Sequence, residues 1–192
     1  AASVSASVDN LKNILNARLQ EFIARFNIDI LIVENALAIP LNIPLGLALS
    51  ELIAETQIPT IAHHHDFFWE RNRLRINAVG DYLHNFFPPK LPSIQHVVIN
   101  SMARFDLIRR RGITATIIPN VLDFGNRQPV NHRDYKYFLE SFGLKQDHKT
   151  ILQPTRIVRR KGIEHAIDLV ENLKDPHYKL LISHKAGDEG WE

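Results

Sequence analysis

The stretch Thr150-Ile151-Leu152-Gln153-Pro154-Thr155-Arg156-Ile157-Val158-Arg159-Arg160-Lys161-Gly162 decides the reading of this chain. Its first four residues are a short apolar, β-branched run with strand character. Beyond it, residues 163–173 carry apolar side chains at helical spacing. Arg156 and Lys161 therefore fall in a loop between a strand and a helix. In open α/β folds that loop lies at the carboxyl end of the sheet, where ligands bind. The free N–H groups and dipole of a helix N-terminus favour anions there. Arg156 offers a planar fork of donors to phosphate oxygens, and Lys161 a point charge. On spacing alone the loop reads either as a diphosphate clamp or as a solvated charge run, with Arg159 and Arg160 as surface bystanders.

Outward from this loop, strands and helices alternate. Strand-like runs occupy residues 28–33, 59–64, 96–100, 115–118 and 178–182. The first is β-branched and almost wholly apolar, so it reads as buried on both faces, as in a parallel sheet. Helix-like runs occupy residues 11–26 with Asp9 as N-cap, 45–57, 101–111 with Ser101 as N-cap, 135–142 and 163–173. Gly112 stands where a helix C-terminus favours glycine. Residues 71–87 read as helix or irregular chain, and Pro88-Pro89-Lys90-Leu91-Pro92 breaks the pattern. Alternation of this kind predicts parallel α/β units. Between residues 124 and 134 the chain turns polar, which divides it into residues 1–123, a linker at 124–134, and residues 135–192. The sequence starts at Ala1 without an initiator Met and stops at Trp191-Glu192, so it reads as the middle of something longer.

Composition excludes several classes. Hydrophobic residues are 45% and charged residues 23% of 192, which suits a globular protein. A net charge of +2 is too small for a dedicated nucleic-acid binder. It permits peripheral docking at an acidic membrane surface without requiring it. There is no cysteine, hence no disulfide framework and no thiolate chemistry, which fits the cytoplasm. No apolar run approaches the ~18 residues of a membrane span. No G-x-S-x-G, G-x-G-x-x-G or P-loop pattern occurs.

The run His63-His64-His65-Asp66 ends the second strand-like segment. Consecutive strand residues point to opposite faces, so three adjacent histidines do not readily chelate one ion. No H-x-x-x-H or H-E-x-x-H spacing follows, and no metal is expected. One neutral histidine at a strand's carboxyl end, hydrogen-bonding a ligand, is the preferred reading, with a core role left open for His63. Phe67, Phe68 and Trp69 could stack on a sugar or a base but read more simply as core. Glu34 and Asn35, just beyond the first strand-like run, either line a ligand cleft or cap a turn. Ser183 and His184 hold the equivalent place after the last one. Arg109, Arg110 and Arg111 sit in the last turn of a helix, where cations complement its dipole.

Four segments together carry a family resemblance. Arg156 with Lys161-Gly162 resembles the R-x4-K-G loop of retaining, nucleotide-sugar-dependent glycosyltransferases of the GT-B fold, glycosyltransferase family 4 (group 1). Ile61 to Asp66 resembles that family's strand ending in His-Asp. Ile118-Pro119-Asn120-Val121-Leu122-Asp123 resembles its P-N-G-V-D run, with Val121 in the place of the glycine. Leu180 to Ser183, through Gly187-Asp188-Glu189-Gly190, resembles its donor-domain strand and glycine turn. The resemblance spans roughly residues 28 to 190. It implies two Rossmann-like lobes facing a cleft, both incomplete here, the first on the acceptor side and the second binding the donor.

By that resemblance, the whole protein moves a sugar from a nucleotide-diphosphate sugar to an acceptor with retention. Arg156, Lys161 and Gly162 hold the donor diphosphate, His65 contacts the donor sugar, and Asp66 supports the turn. No cofactor or metal is implied. The family's acceptor-side glycine loop and its E-x7-E donor motif would fall outside this chain, so the chain alone is expected to be inactive and to associate with itself or another chain. A phosphorylase- or epimerase-like enzyme on the same two-lobe fold, and a non-catalytic fragment binding a sugar nucleotide or a protein, are the alternative readings.

Overall fold

A computed structural model describes residues 2–71, 74, 76–123, 125, 132–158 and 161–184. The chain divides into two compact units, Ala1–Leu122 and Asp123–Glu192. Arg159, Arg160, the Gly187–Gly190 turn and most of the 124–134 segment lie outside the described residues. Among the described residues no helix is long and apolar enough to cross a membrane.

The first unit opens with helix α1 (Ala2–Phe26), followed by strand β1 (Leu31–Glu34), helix α2 (Ile43–Thr56) and strand β2 (Thr60–His64). A single turn at Phe68–Glu70 leads to helix α3 (Gly80–Phe86), strand β3 (Ile94–Val98), helix α4 (Ser101–Arg111) and strand β4 (Thr116–Ile117). The four strands form one parallel sheet in the order β1-β2-β3-β4. Both units are thus parallel α/β, of the Rossmann-like type that the alternation predicts.

Local chemistry sets the helix ends. Asn42 is the N-cap of α2, its side-chain oxygen accepting from the Leu45 N–H at 3.0 Å, so this helix starts two residues before the expected Leu45. Asn100 caps α4 through the Ala103 N–H at 2.8 Å, in the role the sequence suggested for Ser101. Gly112 ends α4 in the left-handed conformation, as its position predicts. Helix α1 begins at Ala2, well before Asp9.

Strand order decides burial. Parallel strands laid down sequentially with right-handed crossovers put their connecting helices on one face of the sheet. In register, Val33, Ala62 and His96 share that face, as do His64 and Val98. Val33, Ala62 and Ile94 pack there with Leu49 and Ile53 of α2, and Val98 packs with Ala103 and Leu107 of α4. The opposite face carries Ile32, Ile61 and Gln95, then Glu34, His63, Val97 and Thr116. Ile32 is 66% exposed on it. The expectation that residues 28–33 are buried on both faces therefore fails. β1 is the edge of the sheet, and only its Val33 face meets helices.

The second unit contains helix α5 (His132–Ser141), strand β5 (Lys149–Gln153), helix α6 (Ile163–Leu173) and strand β6 (Tyr178–Ile182). β5 and β6 pair in parallel, with Lys149 opposite Tyr178 and Gln153 opposite Ile182. α6 is the crossover between them and packs on β6. Leu139, Val158 and Ile163 are its buried apolar side chains among the described residues.

Candidate functional site

In the first unit the carboxyl ends of β1 and β2 gather most of the predicted polar residues. Glu34 lies opposite His63 in the strand register. Two residues on, His65 returns to the same face. Nδ1 of His63 sits 3.1 Å from both carboxylate oxygens of Glu34, and Nε2 of His65 lies 3.3 Å from Oε2. The two imidazole rings are tilted with centroids 4.6 Å apart. These three side chains point to the face opposite the crossover helices, where Glu34 and His65 are exposed and His63 is partly buried. A pair of imidazoles around a carboxylate can hydrogen-bond sugar hydroxyls or hold a cation.

Asn35 is the pivot beneath them. Its backbone is left-handed at φ 61°, and its N–H donates to the His63 carbonyl at 2.9 Å. Its side-chain oxygen accepts from the His65 N–H at 3.0 Å, and its amide nitrogen donates to Asp66 at 3.3 Å. Asp66 is also held by Arg71, whose Nε donates to Oδ2 at 2.5 Å. Both Asp66 oxygens are thus engaged within the protein, in a turn-supporting arrangement rather than turned toward a ligand. The next residues pack inward. Phe67 is fully buried and stacks on Trp69 at 4.4 Å, and Phe68 belongs to the cluster of Leu83 and Phe87. The aromatic run is core.

His64 points the other way, into the helix-covered face. Its Nε2 meets Nδ1 of His96 at 2.9 Å. Burial, reinforced by the neighbouring histidines, pushes the His64 pKa down to about 3. Burial also pushes His96 down to about 4, against the opposing effect of its hydrogen bond to the Pro89 carbonyl. Both rings are neutral at ordinary pH. The core histidine of the triplet is therefore His64, whereas the sequence had left that role open for His63.

In the second unit the basic loop is closed by its own backbone and by the end of β5. The Val158 N–H donates to the Arg156 carbonyl at 3.0 Å, and the Lys161 N–H to the Val158 carbonyl at 2.9 Å. Gln153 donates from Nε2 to Thr155 Oγ1 at 3.3 Å and to the Lys161 carbonyl at 3.2 Å. Gly162 caps α6 at φ 60°, ψ 42°, and a Cβ there would stand 2.9 Å from Cδ2 of His165. The backbone angle favours glycine, as does the space, since a side chain at 162 would have to displace the exposed His165 ring. Arg156 and Lys161 are exposed, and neither forms an ion pair with the described residues. Ser183 and His184 follow β6 on the same edge. The Ser183 N–H reaches the Gln153 carbonyl at 3.5 Å, and Ser183 Oγ lies 2.9 Å from His184 Nδ1.

Two contributors were not singled out from sequence. Arg71 holds Asp66, and His96 partners His64. Arg111 leaves the basic triplet to bind the carbonyls of His84, Asn85 and Pro88. Half-burial pushes its pKa down, so the helix-dipole reading of that residue is incomplete. Placing the ends of adjacent strands side by side would have paired Glu34 with His63.

Two parallel α/β units, one ending its strands in a histidine-carboxylate cluster and the other in a cationic strand-to-helix loop, place polar side chains at the carboxyl ends of their sheets, where open α/β folds bind ligands. The chain is 38% identical over 183 residues, 94% of its length, to the mannosylglucosylglycerate synthase of Thermotoga maritima. It is 38% identical over 160 residues to the protein of the same name from Petrotoga mobilis. A third relative, the mannosylglucosyl-3-phosphoglycerate synthase of Petrotoga mobilis, is 29% identical over 133 residues. The chain spans 39% of the first relative and 36% of the second. No protein-family model matches it.

Proposed function

We propose that this chain is part of a retaining glycosyltransferase of the GT-B fold, family 4, which moves a sugar from a nucleotide-diphosphate sugar to an acceptor. The observation that carries the proposal is the loop of the second unit. Arg156 and Lys161 are exposed and unpaired among the described residues, on a backbone closed by Gln153 and ended by a left-handed Gly162. Such a loop suits the two charges of a departing diphosphate, stabilised by fixed cations as the glycosidic bond breaks. The names of the relatives support the same chemistry and suggest its substrates. A mannosyl group from a nucleotide-diphosphate mannose, passed to a glucosylglycerate acceptor, is the transfer most consistent with them.

In this proposal Arg156 and Lys161 neutralise the diphosphate and Gly162 allows the backbone its close turn. His65 meets the donor sugar. Asn35 and Asp66 set the loop that carries His65, as positioning residues. Ser183 and His184, on the same strand edge as the basic loop, are candidates for further donor contacts.

The test is transfer by the complete protein that contains this chain. A panel of nucleotide-diphosphate sugars is offered with glucosylglycerate, and the product is read by mass spectrometry. Mannosylated product, lost in Arg156→Ala and Lys161→Ala, is the expected result. Undiminished turnover in both variants would remove the assigned roles, and no transfer from any donor would remove the activity.

A further inference from the structure

We propose that Glu34, His63 and His65 form a binding site for a divalent first-row metal ion, Zn2+ foremost. The motif spacings gave no such site, because they run along one strand. The site arises across two. His63 and His65 alternate onto one face of β2 and its extension, and the strand register sets Glu34 of β1 beside them. One ligand atom from each of the three falls within 4.8 Å of the others.

The donor set and its dimensions fit. Two imidazole nitrogens and one carboxylate, with further positions open, is a ligand combination that zinc accepts. Bonds of about 2.0–2.1 Å in a tetrahedron place neighbouring ligand atoms about 3.3 Å apart. The nitrogen-to-carboxylate separations here are 3.1 and 3.3 Å. The two imidazole nitrogens lie within 4.8 Å of each other, so an ion enters by drawing the rings together and replacing the hydrogen bonds that now join them to Glu34.

The ligands are also held in place. Asn35 fixes the backbone on both sides of the site, donating to the His63 carbonyl and accepting from the His65 N–H. Rigid support of this kind is what a metal site needs for defined geometry. Access is open as well. The Glu34 side chain is 58% exposed and that of His65 40%, whereas His63 at 21% forms the inner wall. The remaining coordination positions face solvent at the carboxyl end of the sheet.

This site rests on the geometry of the first unit alone and does not require the transferase proposal. His65 is shared with that proposal, and an ion and a sugar hydroxyl would compete for its Nε2.

Isothermal titration of Zn2+ into the tag-free complete protein that contains this chain, stripped of metal, tests it, with Co2+ absorption reporting coordination geometry. One equivalent should bind with micromolar or tighter affinity. The visible Co2+ bands should have tetrahedral or five-coordinate intensity. Glu34→Gln, His63→Asn and His65→Ala should each weaken binding by about 100-fold or more, since even outer-sphere changes cost 10- to 100-fold. Glu34 is exposed, so its variant keeps the fold if the buried-side His63 variant does not. Absence of binding at millimolar Zn2+ overturns the proposal. So does binding that is unchanged in Glu34→Gln and His65→Ala, which would place the ion elsewhere, for instance at His177 with Asp147 and Asp175. Glycosyl transfer is not part of this readout, so its presence or absence leaves the result intact.

Discussion

Nε2 of His64 lies 2.9 Å from Nδ1 of His96 inside the sheet–helix core of the first unit. One ring must donate and the other accept. The Pro89 carbonyl, which can only accept, is near enough to His96 to favour a proton on its ring. Donation from His64 Nε2 to His96 Nδ1 is the tautomer that leaves His96 a proton for that carbonyl. That leaves Nδ1 of His64 bare, and it is buried with no partner among the described residues.

This pair makes stability depend on pH. Both pKa values are depressed in the folded chain, to about 3 and about 4, from an ordinary value of 6.5. Above pH 6.5 both rings are neutral whether folded or unfolded, and their contribution is complete. Below it the unfolded chain binds protons that the folded chain refuses, so stability falls. The loss approaches about 1.4 kcal/mol per pH unit for each histidine, continuing down to about pH 4 for His96 and about pH 3 for His64. Urea titrations between pH 7.5 and 4.5 should show this slope, reduced in His96→Gln. A flat profile over that range would contradict the burial of the pair.

Asn35 links the ends of β1 and β2 through side-chain bonds to His65 and Asp66, and it holds φ 61°. Asn35→Ala loses both bonds and places an alanine in left-handed backbone. A cost of about 2–3 kcal/mol follows. Asn35→Gly loses the same bonds but not the backbone tolerance, and should be about 1 kcal/mol less destabilising. Denaturant midpoints of the two variants against the parent measure the difference. Equal midpoints would mean that the backbone angle carries no strain.

Arg111 donates to three main-chain carbonyls at the end of α3 and in the proline segment. Arg111→Met leaves those carbonyls without that donor and should cost about 1–3 kcal/mol. Its neighbour Arg109 is exposed and only 3.7 Å from Asp106, so Arg109→Met should change stability by less than about 1 kcal/mol. Thermal melts of the two variants separate a clamp from a plain run of surface charge.

The alternation of strands and helices was legible because apolar periodicity is local. Residues 150–153, 163–173 and 178–182 could be read without knowing their neighbours. The position of Arg156 and Lys161 in a strand-to-helix loop was legible for the same reason. The bare face at Ile32 was not, because burial depends on which strand is the edge and on which face the crossovers run. Nor was the meeting of Glu34 with His63 and His65, 29 and 31 residues apart in sequence. Register is a property of two strands, and no single segment contains it. The divergent fates of His63 and His64 follow from the same alternation that the triplet conceals when read as a cluster.

The most direct test of the donor-side proposal is calorimetric titration of a nucleoside diphosphate into the complete protein and its Arg156→Ala and Lys161→Ala variants. Charge-assisted hydrogen bonds to phosphate of about 1.5–3 kcal/mol correspond to a loss of about 10- to 100-fold for each variant. Clear binding by the parent, weakened by that factor in both variants, is the expected result. Full affinity retained in both would contradict the diphosphate clamp.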